Sequence, residues 1–208
     1  MGNPYKDDVS AMCYNAPKTW QLGWYDSNKE TIDPTKGQWS GTIVGVADFD
    51  KNPENYPVVV KIETGTGTDQ FIAFNRATGV NRHSDDADNE VTIVETSENG
   101  EGAAQSYMKA HLAQGDYYIY PDWANTGQNL VIIANTINVN TGNSAGYAEV
   151  QVCLGCAVET PDLTQNIIAG LFLSLLLLFL FVHAHVQIER TKVKKDETAK
   201  KVKELDFC

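Results

Sequence analysis

The chain contains no H-E-x-x-H, no G-x-S-x-G, no P-loop and no dinucleotide fingerprint. A zinc peptidase helix needs the first of these. Positions i and i+4 place two imidazoles on one face, with the Glu beside the metal-bound water. The four histidines, His83, His111, His183 and His185, lack that spacing, and no nucleophile stands with its base in a known pattern. Basic residues are scarce over most of the length. Residues 1–166 hold 9 Lys+Arg against 22 Asp+Glu, a net charge of −13. Nucleic acid is excluded as a partner on this ground, because phosphate neutralisation needs clustered cations. The opening residues MGNPYKDD have no apolar core or cleavage site, so they are not a signal peptide. Lys6 also breaks the myristoylation pattern. No N-x-S/T sequon occurs.

Cysteine is sparse too. Cys13 stands alone, Cys153 and Cys156 form a C-x-x-C, and Cys208 ends the chain. No second pair completes a tetrahedral zinc site. The C-x-x-C follows a strand-like alternation from Tyr147 to Cys153 and not a strand-to-helix turn, so structural disulfides are favoured over a redox motif. One expected bridge links Cys13 to Cys153 or Cys156.

What the chain does have is a single long apolar run. Residues 167–182 read IIAGLFLSLLLLFLFV, and continuing to Val186 gives twenty residues. About 20 are needed to cross the hydrocarbon core of a bilayer. A buried core helix would show a polar stripe, and this run shows none. Seven basic residues follow it, from Arg190 to Lys203, while no Lys or Arg precedes it back to Lys109. The positive-inside rule then places 187–208 in the cytoplasm and 1–166 outside or in a lumen. The lipid bilayer is thus an expected partner. His183 and His185 fall at its cytoplasmic interface, and the tail is read as a solvated segment near anionic headgroups. With no signal peptide at Met1, translocation of such a domain leads us to expect that the natural start lies upstream.

Residues 8–23 carry a helical pattern, capped by Asp8 or Ser10, with Met12, Ala16, Trp20 and Leu22 on one face and Gly23 as the stop. Pro17 predicts two short pieces. From residue 38 the period becomes two. Strands are predicted at 39–46, 57–63, 70–75, 90–95, 116–121, 129–138 and 145–153, with turn signals between them, which suggests a mainly β fold, an antiparallel β-sandwich. Residues 103–114 are read as a loop or one helical turn, and 157–166 as a linker.

Two acidic clusters carry oxygen donors at spacings that suggest calcium. Asp48-Phe-Asp50-Lys-Asn52 starts like a calcium loop but has Pro53 where Gly is required and Val59 where a bidentate Glu belongs. Asp85, Asp86, Asp88 and Glu90 form a calcium candidate in a sandwich loop, with a solvated acidic loop as the alternative. The aromatics Tyr117, Tyr118, Tyr120 and Trp123 offer a binding platform, although alternation along a strand makes about half of them core.

Two stretches carry a family likeness. Met12-Cys-Tyr-Asn-Ala-Pro-Lys-Thr-Trp-Gln-Leu-Gly-Trp-Tyr25 resembles the segment just after the catalytic core of gametolysin-type, metzincin-like zinc metallopeptidases. The run Phe71-Ile-Ala-Phe-Asn-Arg-Ala-Thr-Gly-Val-Asn81, with Asn89–Val94, Leu112–Tyr118 and Gln151–Cys153, is similar to the β region that follows that core. The resemblance covers residues 1 to about 156. It implies a secreted or surface zinc endopeptidase acting on cell-wall or extracellular-matrix glycoproteins. It also implies zinc as the cofactor of the full-length family member, held by ligands upstream of a methionine turn whose end Met1 and Gly2 match. No catalytic or zinc-binding residue is then expected within these 208 residues. The expected parts are a catalytic-domain remnant (1–37), a β-sandwich (38–156), a linker (157–166), a transmembrane helix (167–186) and a basic tail (187–208). The alternative expectation is a non-enzymatic single-pass adhesion or binding protein that uses the sandwich loops.

Overall fold

The computed structural model describes residues 12–84, 86–97, 105–139 and 142–158. It begins with a short helix, α1 (Ala16–Leu22). Asn15 caps it by accepting from the Lys18 backbone N–H at 3.1 Å, and Pro17 occupies the first turn, where no N–H is needed. Gly23 closes it in the left-handed region, φ 68°, donating to the Trp20 carbonyl. The helix is therefore one piece starting after Asn15, and Met12 to Asn15 are not helical. Proline at the first turn starts a helix and does not divide it.

Nine strands follow among the described residues: β1 (Lys29–Ile32), β2 (Trp39–Val44), β3 (Val59–Ile62), β4 (Thr68–Asn75), β5 (Glu90–Ser97), β6 (Ser106–Leu112), β7 (Tyr117–Tyr120), β8 (Leu130–Asn138) and β9 (Tyr147–Leu154). They form two sheets, ordered β1-β3-β4-β5-β6 and β2-β9-β8-β7. Only β1 and β3 pair in parallel. Ile62, Ile72, Phe74, Val91 and Ile93 from the first sheet share one core with Ile43, Ile132, Val150 and Val152 from the second. That is the two-layer packing expected of a β-sandwich.

The first sheet is covered on its outer face as well. Phe71 and Val59 point away from the shared core into a second cluster with Ala16 of α1. The Trp20 ring meets Phe71 edge-on at 5.8 Å, and Tyr25 meets Phe49 at 4.7 Å. Burial on both faces explains why residues 57–62 read as a continuous apolar run broken only by Lys61. Lys61 itself is neutralised on that face by Asp69 at 2.8 Å.

The seven predicted strands all appear, with ends displaced by a few residues. Two strands were not anticipated. Residues 103–114, read as a loop or helical turn, contain β6. It is an edge strand whose side chains are mostly exposed, so the burial alternation that marks a strand is missing. Residues 29–32 were assigned to the 1–37 remnant but pair with β3 as an edge of the sandwich. The described residues up to Ala157 belong to one compact unit. Residues 167–186 lie outside the described set. Among the described residues, no helix is long and apolar enough to cross a membrane.

Candidate functional site

The N-terminal segment builds the most distinctive surface. Asn15 Nδ2 donates to Ser106 Oγ at 2.8 Å, tying the start of α1 to β6. Lys29 Nζ lies 4.5 Å from the centre of the Trp20 ring, a cation–π contact that fixes the indole's outer edge. Trp20 and Tyr25 are thereby committed to the sandwich. Their neighbours are not. Trp24 is 66% exposed and Tyr14 is 56% exposed, the two meeting edge-on at 5.9 Å. With Leu22, Val46 and Val80 they border an apolar groove of about 350 Å³ that also contains Cys13. Val80 is 53% exposed in the turn after β4, so the apolar surface continues past the helix. Its signal in the sequence was an apolar residue following a glycine in a polar turn, which the reading of residues 76–90 passed over.

The cysteines resolve differently from the expected Cys13 bridge. Cys153 is bonded to Cys156, with Cα atoms 5.9 Å apart, and Cys13 is a free thiol. Cys13 lies beside α1 on the outer side of the first sheet, whereas Cys153 lies on β9 of the second sheet. A disulfide needs Cα atoms about 4.4–6.8 Å apart, and Cys13, beside α1, is separated from Cys153 by the whole of the first sheet and the shared core. Burial pushes the Cys13 thiol pKa up, holding it in the unreactive protonated form. Burial also raises the Tyr25 phenol, with the charge of Cys13 adding to it.

The calcium candidates are placed as follows. Asp86 and Asp88 are exposed, and Glu90 turns to pair with His111 Nδ1 across β5 and β6. Asp85 lies outside the described residues. The loop's shape comes from its backbone: Asn75 Nδ2 donates to the Ala87 carbonyl at 2.9 Å and the Asp86 carbonyl at 3.1 Å. Among the described residues no three His, Cys, Asp or Glu side chains gather. Asp48, first residue of the other acidic stretch, points inward and is 2% exposed. Burial works to raise its pKa, but the Gly146 N–H, Lys51 and Arg76 outweigh that and hold the carboxyl below its ordinary range. Met1, Gly2 and Cys208 lie outside the described residues.

The aromatic platform divides as alternation requires. Tyr117 is exposed, Tyr118 and Tyr120 are half-buried, and Trp123 is 1% exposed with its ring edge-on to Tyr120 at 5.1 Å. Set against known proteins, the chain matches no family model, no curated protein and no solved structure.

Proposed function

We propose that this chain is the non-catalytic C-terminal portion of a membrane-anchored, gametolysin-like zinc metalloendopeptidase that acts on extracellular-matrix or cell-wall glycoproteins. In this reading residues 12–25 are the junction with a preceding catalytic domain, the antiparallel β-sandwich is an accessory domain, residues 167–186 are the transmembrane helix and 187–208 the cytoplasmic tail. Zinc and its ligands belong to the preceding domain.

The observation that supports the reading is the division of labour within the Met12–Tyr25 stretch. Trp20 and Tyr25 pack on the sandwich, while Tyr14, Leu22 and Trp24 remain as exposed apolar surface. A contiguous apolar patch of this kind marks a contact surface more often than a free one. No chemistry is assigned to any residue of this chain.

The test is direct. The 208 residues expressed alone are expected to show no chelator-sensitive proteolysis, and such activity would overturn the reading. Read from the 5′ end, the transcript is expected to encode H-E-x-x-H-x-x-G-x-x-H upstream of Met1. A transcript beginning at Met1 would instead leave the non-enzymatic surface protein as the account.

A further inference from the structure

The space between the two sheets changes character toward the β3–β4 turn. Ile72 and Phe74 face apolar neighbours. One step earlier on the same face of β4, Gln70 stands opposite Glu95 of β5. Gln70 Nε2 donates to Glu95 Oε2 at 2.6 Å, the Tyr120 hydroxyl donates to the same oxygen at 3.3 Å, and Lys109 Nζ donates to Oε1 at 3.3 Å. This network uses the amide's donor and leaves its acceptor. Gln70 Oε1 and Trp123 Nε1 are the two buried side-chain polar atoms with no hydrogen-bond partner among the described residues. Both residues are 1% exposed. Both also line one pocket of about 200 Å³, together with Thr64, Thr66, Thr68 and Tyr120.

A buried donor or acceptor left unmatched costs about 1–3 kcal/mol. Two on residues that line one pocket, one of each kind, would be matched by a group that both accepts and donates, and a hydroxyl does so. The wall adds three threonine side chains. It contains Asp122 and no Lys or Arg, which disfavours an anion. The volume exceeds the roughly 30 Å³ share of one water and falls below the roughly 300 Å³ at which drug-sized pockets begin. We propose that this pocket binds a single ring of a neutral sugar, with Trp123 Nε1 donating to one of its hydroxyl oxygens and Gln70 Oε1 accepting from a hydroxyl. Both atoms lie beneath the pocket surface, so contact requires the 122–125 turn to yield. Ala124 there holds φ 50°, a region costly for alanine, between Asp122 at 45° and Asn125 at 58°, residue types that tolerate it. The inference concerns the sandwich alone and does not depend on the peptidase reading.

The experiment is saturation-transfer NMR on the full 208-residue chain, in a detergent without a sugar headgroup. The probes are glucose, galactose, mannose and N-acetylglucosamine, with glucuronate as the anionic control. At least one neutral sugar is expected to receive saturation and glucuronate none. Trp123→Phe keeps the ring and removes the donor, and should weaken binding by about tenfold, equivalent to about 1.4 kcal/mol. Thr66→Val, on an exposed rim position, should weaken it without affecting the core, which covers the case in which Trp123→Phe misfolds. No transfer to any neutral sugar would overturn the proposal. So would equal transfer to glucuronate, or binding indifferent to the threonine substitution.

Discussion

Arg76 Nε donates to Asp48 Oδ2 at 3.1 Å, and this contact ties the end of β4 to the turn after β2. Arg76 Nη1 also donates to Asn89 Oδ1 at 2.6 Å, and Nη2 to the Val139 carbonyl at 3.1 Å. Asp48 accepts as well from the Gly146 backbone N–H at 3.1 Å and from Lys51 at 3.0 Å. One ion pair, with a buried carboxylate and a half-buried guanidinium, therefore gathers the turn after β2, the loop before β5, the end of β8 and the entry to β9. Removing one partner of a buried pair costs more than the pair contributes, because the other charge is left uncompensated. Arg76→Met is expected to lower stability by about 3 kcal/mol, read as a fall in the urea midpoint with an unchanged slope. A change below about 0.5 kcal/mol, the scale of an ordinary surface substitution, would show that the pair is not a structural hub.

The same carboxylate sets an acid dependence. The folded pKa of Asp48 is held below its usual value. Its stabilising effect is therefore complete above the unfolded carboxylate range near about 3.9, and is lost as pH falls through the folded value. Below about pH 4 the Tm of the parent chain should fall more steeply than that of Asp48→Asn. Parallel profiles would remove Asp48 as a source of the acid sensitivity.

The slot that holds Arg76 is made by glycines. A Cβ on Gly146 would stand 2.6 Å from Arg76 Nε, and one on Gly45 would stand 2.3 Å from Arg76 Cβ. Gly146→Ala should cost about 1–3 kcal/mol through overpacking. Gly67→Ala, with nothing within 4 Å of the added carbon, should be close to neutral. Equal thermal shifts for the two variants would contradict this account.

Peptide mapping without reduction should recover Cys153 and Cys156 as a bridged pair and Cys13 unlinked, as the structure places them. A Cys13–Cys153 peptide would contradict the sheet arrangement. Because the bridge closes a very short loop, Cys153→Ser with Cys156→Ser should cost about 2 kcal/mol on the chain-entropy model.

The β content was legible from two signals: alternation, as in β7 and β9, and short apolar runs bounded by turn residues where both faces are buried, as in β3 to β5. It failed at β6 and β1 for a physical reason. Edge strands are held by backbone pairing on one side, and β1 has a single buried apolar residue, Ile32. Trp20 was legible as part of an apolar face, but not its partner; the contacts of Trp20 with Phe71 and of Tyr25 with Phe49 place both on the sandwich. The groove at Trp24 and Val80 and the Gln70–Trp123 pocket were not legible. Each brings together residues from distant segments, and no local spacing encodes that. Cys13 shows the same limit in reverse, since four cysteines in a sequence do not state which two lie within bonding distance.

The placement of β1 has a mechanical consequence. Residues 29–32 run parallel to β3 and pair with it along their length, and at the other end β9 is hydrogen-bonded on both sides, to β2 and β8. Tension applied along the chain would, past the contacts of α1, reach a strand paired along its whole length, and would leave through a strand clamped between two others. Neither would peel one hydrogen bond at a time. Several would have to break together, and a domain with its two ends held in that way resists being pulled open.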